Sequence, residues 1–107
     1  MIKCSLTNEA VKDLEEIWFY TCKKWSVEQA DRYYNLIIDE IEYIASNPLI
    51  GKPIDFIKQG YRSSKVKSHL IFYKMINDDQ ILVVRILHQR MDIKSRMNLT
   101  KKQNNPT

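Results

Sequence analysis

The pattern of hydrophobic and polar positions begins with a strand and a helix. Residues 2–6 alternate apolar and polar side chains, which is typical of a short strand. From Ala10 to about Trp25 apolar residues recur at helical spacing, with acidic side chains near the start and lysines near the end. These charges suit the helix dipole. The pattern therefore predicts a strand and then a helix, with Thr7 or Asn8 as its N-cap.

A second helix follows at once. Ser26 and Gln29 form a capping-box pattern, and apolar residues mark one helical face up to the Asn47-Pro48 pair. The link between the two helices is too short for anything except an αα-hairpin. Residues 47–60 contain two of the prolines and both glycines, which predicts an ordered connection after the hairpin.

The rest of the chain predicts strands. Three strand-like segments follow at Tyr61–Val66, His69–Ile76 and Gln80–His88. Turns at 67–68 and 77–79 would make them an antiparallel meander. The order β-αα-βββ predicts an α+β fold in which a helical hairpin packs on a small antiparallel sheet. We expect a single domain over residues 1–98 and a polar, disordered tail over 99–107.

Composition excludes several classes of protein. Two glycines cannot form a dinucleotide-binding fingerprint, and their spacing does not fit a phosphate-binding loop. The spacing of Cys4, Cys22, His69 and His88 matches no zinc site, so we predict no metal, no cofactor and two buried, reduced thiols. No apolar run exceeds four residues, so we expect no membrane segment and a cytoplasmic protein.

The net charge of +4 is distributed unevenly along the chain. Residues 1–60 have a balance of −3, whereas residues 61–107 have a balance of +7. A concentrated positive charge favours association with an acidic partner or a polyanion. We favour an acidic protein segment over nucleic acid, and direct binding of nucleic acid is not expected.

Several segments resemble a known family. HLIFYKM at residues 69–75 and VVRILHQRMD at residues 83–92 resemble the paired strands of ParE toxins within the RelE/ParE superfamily. DLEEIWFYTCKKWSVEQADRYY at residues 13–34 is similar to the helical hairpin of that family, and NPLIGKP at residues 47–53 is similar to its loop after the second helix. The resemblance covers the chain as far as residue 98.

The resemblance implies the toxin of a type II toxin–antitoxin pair. ParE members act on DNA gyrase and stop replication, whereas RelE members cut messenger RNA in the ribosome. It implies that this chain inhibits gyrase through the A subunit and is neutralised by a cognate antitoxin, ParD-like or related, in a heterotetramer. The alternative is a RelE-like, ribosome-dependent endoribonuclease.

The alternative requires a catalytic site. RNA cleavage without a metal needs a base, an acid and cations around the phosphate. By resemblance to some RelE relatives, His88 would be the acid or base, and Arg62 and Arg85 would clamp the phosphate. Those relatives have an aromatic acid beside the histidine, but no tyrosine occurs in the three residues after His88. This departure favours a ParE-like inhibitor with no catalytic residues.

Partner binding is assigned to a cationic set from the second half of the chain. It comprises Arg62, Lys65, His69, Arg85, His88 and Arg90. The turn at 77–79 would bring His69 opposite His88, either as hydrogen-bonded residues that order the end of the sheet or as an acid and base.

Arg85 has two interpretations. Strict alternation places it on the same face as Val83 and opposite the face that carries Ile86 and His88. It would then either form an ion pair with Asp92 or a helix carboxylate, or lie exposed to bind gyrase or the antitoxin. The segment 89–98 would be a short basic helix or an extended segment.

Overall fold

The computed structural model describes residues 3–97, so the predicted tail over 99–107 lies outside the described residues. The elements are β1 Lys3–Leu6, α1 Asn8–Lys24, α2 Val27–Ser46, β2 Lys52–Pro53, β3 Tyr61–Val66, β4 His69–Asn77 and β5 Gln80–His88. A short helical turn at 93–97 follows. The strands form one sheet in the order β1-β5-β4-β3-β2. Strand β1 pairs with β5 in parallel and the other pairs are antiparallel, which confirms the predicted α+β fold and meander.

Both helices begin at side-chain caps. The hydroxyl of Thr7 accepts a hydrogen bond from the Ala10 amide at 3.1 Å, and that of Ser26 accepts one from the Gln29 amide at 3.0 Å. Each cap satisfies an amide that has no partner within its helix. The Thr7 hydroxyl also donates to the Val84 carbonyl of β5 at 2.8 Å. The start of α1 is therefore fixed against the sheet.

The sheet is covered on both faces. The helical hairpin packs on one face through Ala10, Leu14, Ile17, Ile37, Ile41 and Ile44. On the other face, Ile54 from the connection and Met97 from the 93–97 turn pack against Phe72, Val84 and Leu87. The central strands β4 and β5 are therefore buried on both sides, which explains their nearly continuous apolar sequence.

A β-bulge interrupts strand β5. Phe72 of β4 pairs with Arg85, whereas the next residue, Tyr73, pairs with Val83. Val84 is therefore an extra residue in β5, and such an insertion bends the strand and shifts its pleat by one position.

The bulge reverses the side-chain alternation. Val83 and Ile86 both belong to the core beneath the helices, whereas Val84 and Leu87 belong to the opposite core. The prediction that Ile86 and His88 lie on the face opposite Val83 was therefore wrong. Strict alternation assumes that each residue of a strand has one partner, and the inserted residue breaks that rule.

The connection over 47–60 is ordered, as predicted, and contains the unpredicted edge strand β2. The buried hydroxyl of Tyr73 donates to the Pro48 carbonyl at 2.8 Å and accepts a hydrogen bond from the Gly51 amide at 3.0 Å. A single β4 side chain thus holds the segment that follows α2 against the sheet.

The prediction that both cysteine thiols are buried was wrong. Both cysteines are free thiols, but Cys4 is exposed and Cys22 is only partly buried. Cys4 lies in the edge strand β1, where the core side chain is Leu6. Cys22 lies off the α1 face that contains Ile17.

Candidate partner-binding cleft

Two histidines meet at one end of the sheet. The pairing of β4 with β5 places His69 directly opposite His88, as expected from the turn between these strands. Their ring centroids are 5.2 Å apart and the ring planes are nearly perpendicular, at 82°. The antiparallel register therefore joins two titratable side chains that are far apart in the sequence.

Tyr33 of α2 joins the histidine pair. Its hydroxyl lies 2.7 Å from Nδ1 of His69 and also donates to the Val66 carbonyl at 3.1 Å. Burial and the neighbouring His88 lower the pKa of His69 to about 4, although the charge of Asp13 acts in the opposite direction. His69 is therefore a neutral imidazole at neutral pH.

The orientation of His88 is fixed by the chain that follows β5. Its Nδ1 atom accepts a hydrogen bond from the Arg90 amide at 3.0 Å. This bond requires an Nδ1 without a proton, so the ring N–H is at Nε2. His88 therefore offers a hydrogen-bond donor at Nε2.

A cleft with a volume of about 960 Å³ lies beside the histidines. It is bounded by the second half of α1, the first half of α2, the β3–β4 turn and the end of β5. Its cationic side chains are Lys24, Lys67 and Arg90, and its carboxylates are Asp13 and Glu16. Apolar and aromatic side chains complete the lining, including Ile17, Tyr20, Trp25, Ile86 and Met91. The cleft is therefore an amphipathic surface with a cationic rim.

Arg85 forms the ion pair with a helix carboxylate that one interpretation predicted. Its Nε and NH2 groups donate to the two carboxylate oxygens of Asp13 at 2.8 and 2.9 Å. The same carboxylate accepts a hydrogen bond from the Ile86 amide at 2.9 Å. Both side chains are almost buried, with 11% and 10% of their surfaces exposed. The pair therefore joins α1 to the bulge of β5 beneath the cleft.

Arg62 and Lys65 lie outside the cleft. The Arg62 guanidinium donates to the carbonyls of Leu49 and Gly51 at 3.1 and 2.7 Å, so it holds the connection after α2. Lys65 is exposed on β3. Of the six residues predicted to bind a partner, the structure thus brings His69, His88 and Arg90 together in the cleft. It places Arg85 beneath the cleft and the other two elsewhere.

Sequence reasoning missed Asp13 and Tyr33 as members of this region. In the sequence, Asp13 is one of several acidic residues near the start of α1, but it lies on the buried face of that helix with Ala10 and Ile17. Its spacing of three and four residues from them was the available signal. No local pattern assigns Tyr33 to the site, and only the fold places its hydroxyl beside His69.

We expect the depressed pKa of His69 to make stability fall as the pH is lowered. The unfolded chain binds a proton at His69 near pH 6.5, whereas the folded chain does so only near pH 4. The stability that the neutral His69 contributes is complete above about pH 6.5 and is lost progressively towards pH 4. Thermal melting between pH 7 and 4 should therefore fall more steeply for the wild type than for His69→Gln. Parallel curves would contradict the expected neutral imidazole.

Two solved structures share the fold. The chain superposes with a TM-score of 0.70 on a structure titled as the chromosomal ParDE toxin–antitoxin system from P. aeruginosa, over 82% of this chain and 96% of that chain, at 18% identity. For the toxin–antitoxin complex RelBE2 from Mycobacterium tuberculosis the TM-score is 0.63, over 81% of this chain and 96% of that chain, at 18% identity. The fold is therefore the α+β fold of the RelE/ParE type.

Sequence comparison is more specific. The family described as "ParE toxin of type II toxin-antitoxin system, parDE" matches residues 4–93. Toxin ParE1 of Mycobacterium tuberculosis is 43% identical over 82% of this chain and 90% of its own length. Toxin ParE1 of Caulobacter vibrioides is 35% identical over 86% of this chain and 94% of its own length. The chain belongs to the ParE family of type II toxins.

Within residues 3–97 no helix is long and apolar enough to cross a membrane.

Proposed function

We propose that this toxin inhibits DNA gyrase, through contacts of the cleft with the A subunit, and that a cognate antitoxin neutralises it. Membership of the ParE family supports the target, because action on gyrase is what resemblance to ParE toxins implies. The function is inhibition by protein–protein contact, and it requires no covalent chemistry by the toxin.

The observation that supports contact over catalysis is the position of the arginines. In the RNA-cleavage alternative, Arg62 and Arg85 would clamp a phosphate beside His88. Arg85 instead donates hydrogen bonds to both carboxylate oxygens of Asp13, and Arg62 donates to carbonyls of the connection after α2. Neither arginine lines the cleft, and no tyrosine follows His88. The arrangement suits recognition of a protein surface better than phosphate cleavage.

The antitoxin partner is supported by the solved relatives and by the helical surface. Both structures are titled as toxin–antitoxin assemblies. On the hairpin, large apolar side chains such as Phe19, Tyr34 and Tyr43 are exposed. Exposed apolar groups of this size favour a covering partner. An extended, partly helical antitoxin segment would cover them in a toxin–antitoxin heterotetramer.

A supercoiling and cleavage assay with purified gyrase, ATP and relaxed plasmid tests the proposal. Wild-type toxin should accumulate linear plasmid, and the cognate antitoxin should abolish this effect. We expect Arg90→Ala to raise the half-maximal toxin concentration about tenfold, as for the loss of about 1.4 kcal/mol of binding energy. Lys52→Ala removes one exposed positive charge outside the cleft and should have little effect. No plasmid cleavage at high toxin excess would refute gyrase as the target.

A second candidate function is messenger RNA cleavage in the ribosome. The observation in its favour is the cluster of three titratable side chains, Tyr33, His69 and His88. Ribosomes programmed with a defined messenger provide the test. Specific cleavage that is lost in His88→Gln, together with the absence of a gyrase effect, would replace the proposal with this one.

A further inference from the structure

Lys67 has an unfavourable backbone conformation. It is the one non-glycine residue with a positive φ, +55°, among the residues that the structure describes. With Ser68 it forms the two-residue turn between β3 and β4, closed by the pair Val66 and His69. A β-carbon crowds the backbone in the left-handed region, so such turns favour glycine, asparagine or aspartate at this position. Lysine has no conformational advantage there.

Contacts within the described chain do not explain the lysine. Its side chain is exposed, and its ammonium group makes no hydrogen bond or ion pair with residues 3–97. By contrast, Lys24 in the same cleft donates to the Tyr20 hydroxyl at 3.3 Å. Residues in strained backbone conformations cluster at functional sites. Contacts among residues 3–97 therefore give no reason for a lysine at this position.

The turn holds Lys67 at the rim of the cleft. The Val66 carbonyl on one side accepts a hydrogen bond from Tyr33 at 3.1 Å. The Ser68 carbonyl on the other side accepts one from the Gln89 amide at 2.8 Å. The backbone is thus fixed on both sides of Lys67, next to the histidine pair. From this anchor Lys67 lines the cleft.

The charges around Lys67 select an anion. Lys24 and Arg90 line the same cleft, and of its two carboxylates Asp13 is neutralised by Arg85. The apolar side chains of Ile17, Ile86 and Met91 line it as well. A phosphodiester strand is bound by a row of cations and keeps its backbone hydrated, which suits these apolar side chains poorly. A protein surface on which apolar side chains flank an acidic residue matches both the cations and the apolar lining of the cleft.

We propose that Lys67 is a target-binding residue whose ammonium group pairs with a carboxylate of gyrase when the cleft engages that protein. This inference rests on the proposed function. The left-handed turn costs fold stability, and it presents this charge at the cleft. Stability and inhibition therefore make opposite demands on position 67.

Three variants separate these demands. Lys67→Gly removes both the strain and the charge, so its melting temperature should rise by a few degrees while its half-maximal concentration for plasmid cleavage by gyrase rises about tenfold. Lys67→Gln keeps the strain and removes the charge, so it should lose inhibition without gaining stability. Lys67→Arg keeps both and should retain most of the inhibition.

Each outcome is decisive. Full potency of Lys67→Gly and Lys67→Gln on gyrase overturns the role of Lys67, and wild-type toxin that fails to trap cleaved plasmid overturns the proposed function itself. If these variants keep full potency on gyrase but need more antitoxin for neutralisation, the contact belongs to the antitoxin and the gyrase pairing is overturned. Weaker binding of single-stranded DNA by the variants, with unchanged gyrase inhibition, would likewise overturn it in favour of nucleic acid.

Discussion

Asp13→Ala is expected to destabilise the fold by about 3–5 kcal/mol, the usual effect of removing one partner of a buried ion pair. The substitution leaves the Arg85 guanidinium without the carboxylate that accepts two of its hydrogen bonds. It also leaves the buried Ile86 amide without its acceptor. Three bonds between α1 and β5 are lost at once. Urea unfolding followed by circular dichroism measures the change.

A matched control lies on the same helix. Glu15→Ala removes an exposed carboxylate two residues away and should change stability by about 0.5 kcal/mol or less. The double variant Asp13→Leu with Arg85→Met replaces the pair with apolar groups and should recover much of the loss. Asp13→Ala with a stability close to that of Glu15→Ala would show that the pair contributes little to the fold.

The ion pair also affects the design of functional variants. Arg85 is a natural choice for mutagenesis, because it is a lone cation in an apolar strand. Its removal would expose an unpaired Asp13 in the floor of the cleft and weaken the fold. Loss of toxicity in Arg85→Ala would therefore not by itself identify a gyrase contact. Variants of Arg90 and Lys67, both exposed at the rim, avoid this difficulty.

Tyr73→Phe should cost about 1–3 kcal/mol, although only one oxygen is removed. The Tyr73 hydroxyl accepts the Gly51 amide and donates to the Pro48 carbonyl in a buried position. Phenylalanine leaves the Gly51 N–H unsatisfied, and the connection after α2 loses its attachment to β4. Tyr43→Phe, at a half-exposed position whose hydroxyl makes no hydrogen bond with the described residues, should be nearly neutral.

Gly51→Ala tests the same contact from the other side. A β-carbon at Gly51 would overlap the Tyr73 hydroxyl oxygen, so one of the two segments must move. We expect a loss of about 1–3 kcal/mol. The double variant should lose less than the sum of the single losses, because removal of the hydroxyl relieves part of the clash. Additive losses in thermal or urea unfolding would contradict this close approach.

The sequence predicted the elements well because their signals are local. The Thr7 and Ser26 caps lie within three residues of the amides that they satisfy, so the helix starts could be recognised directly. The strands β3 and β5 were predicted with their observed bounds. Short turns then fixed the antiparallel meander and placed His69 opposite His88. The edge strand β2 was missed because a strand of two residues, one of them a proline, shows no alternation.

The candidate site was predicted only in part. The histidine pair and Arg90 follow from the meander, because they lie on adjacent strands or next to them. The walls of the cleft come from α1 and α2. No local sequence pattern predicts which face of each helix meets the end of the sheet. The same limitation hid Tyr33, whose hydroxyl reaches His69 from 36 positions away.

By itself, the sequence determined the two capped helices, the meander, the family and the excess of positive charge in the second half of the chain. These depend on neighbouring residues or on a motif. Tertiary structure alone decided the parallel pairing of β1 with β5, the bulge at Val84 and the partner of Arg85. Asp13 and Arg85 are separated by 72 positions, and Arg85 lies next to the bulge of β5. Such contacts depend on how the whole chain packs, so no local pattern of residues could specify them.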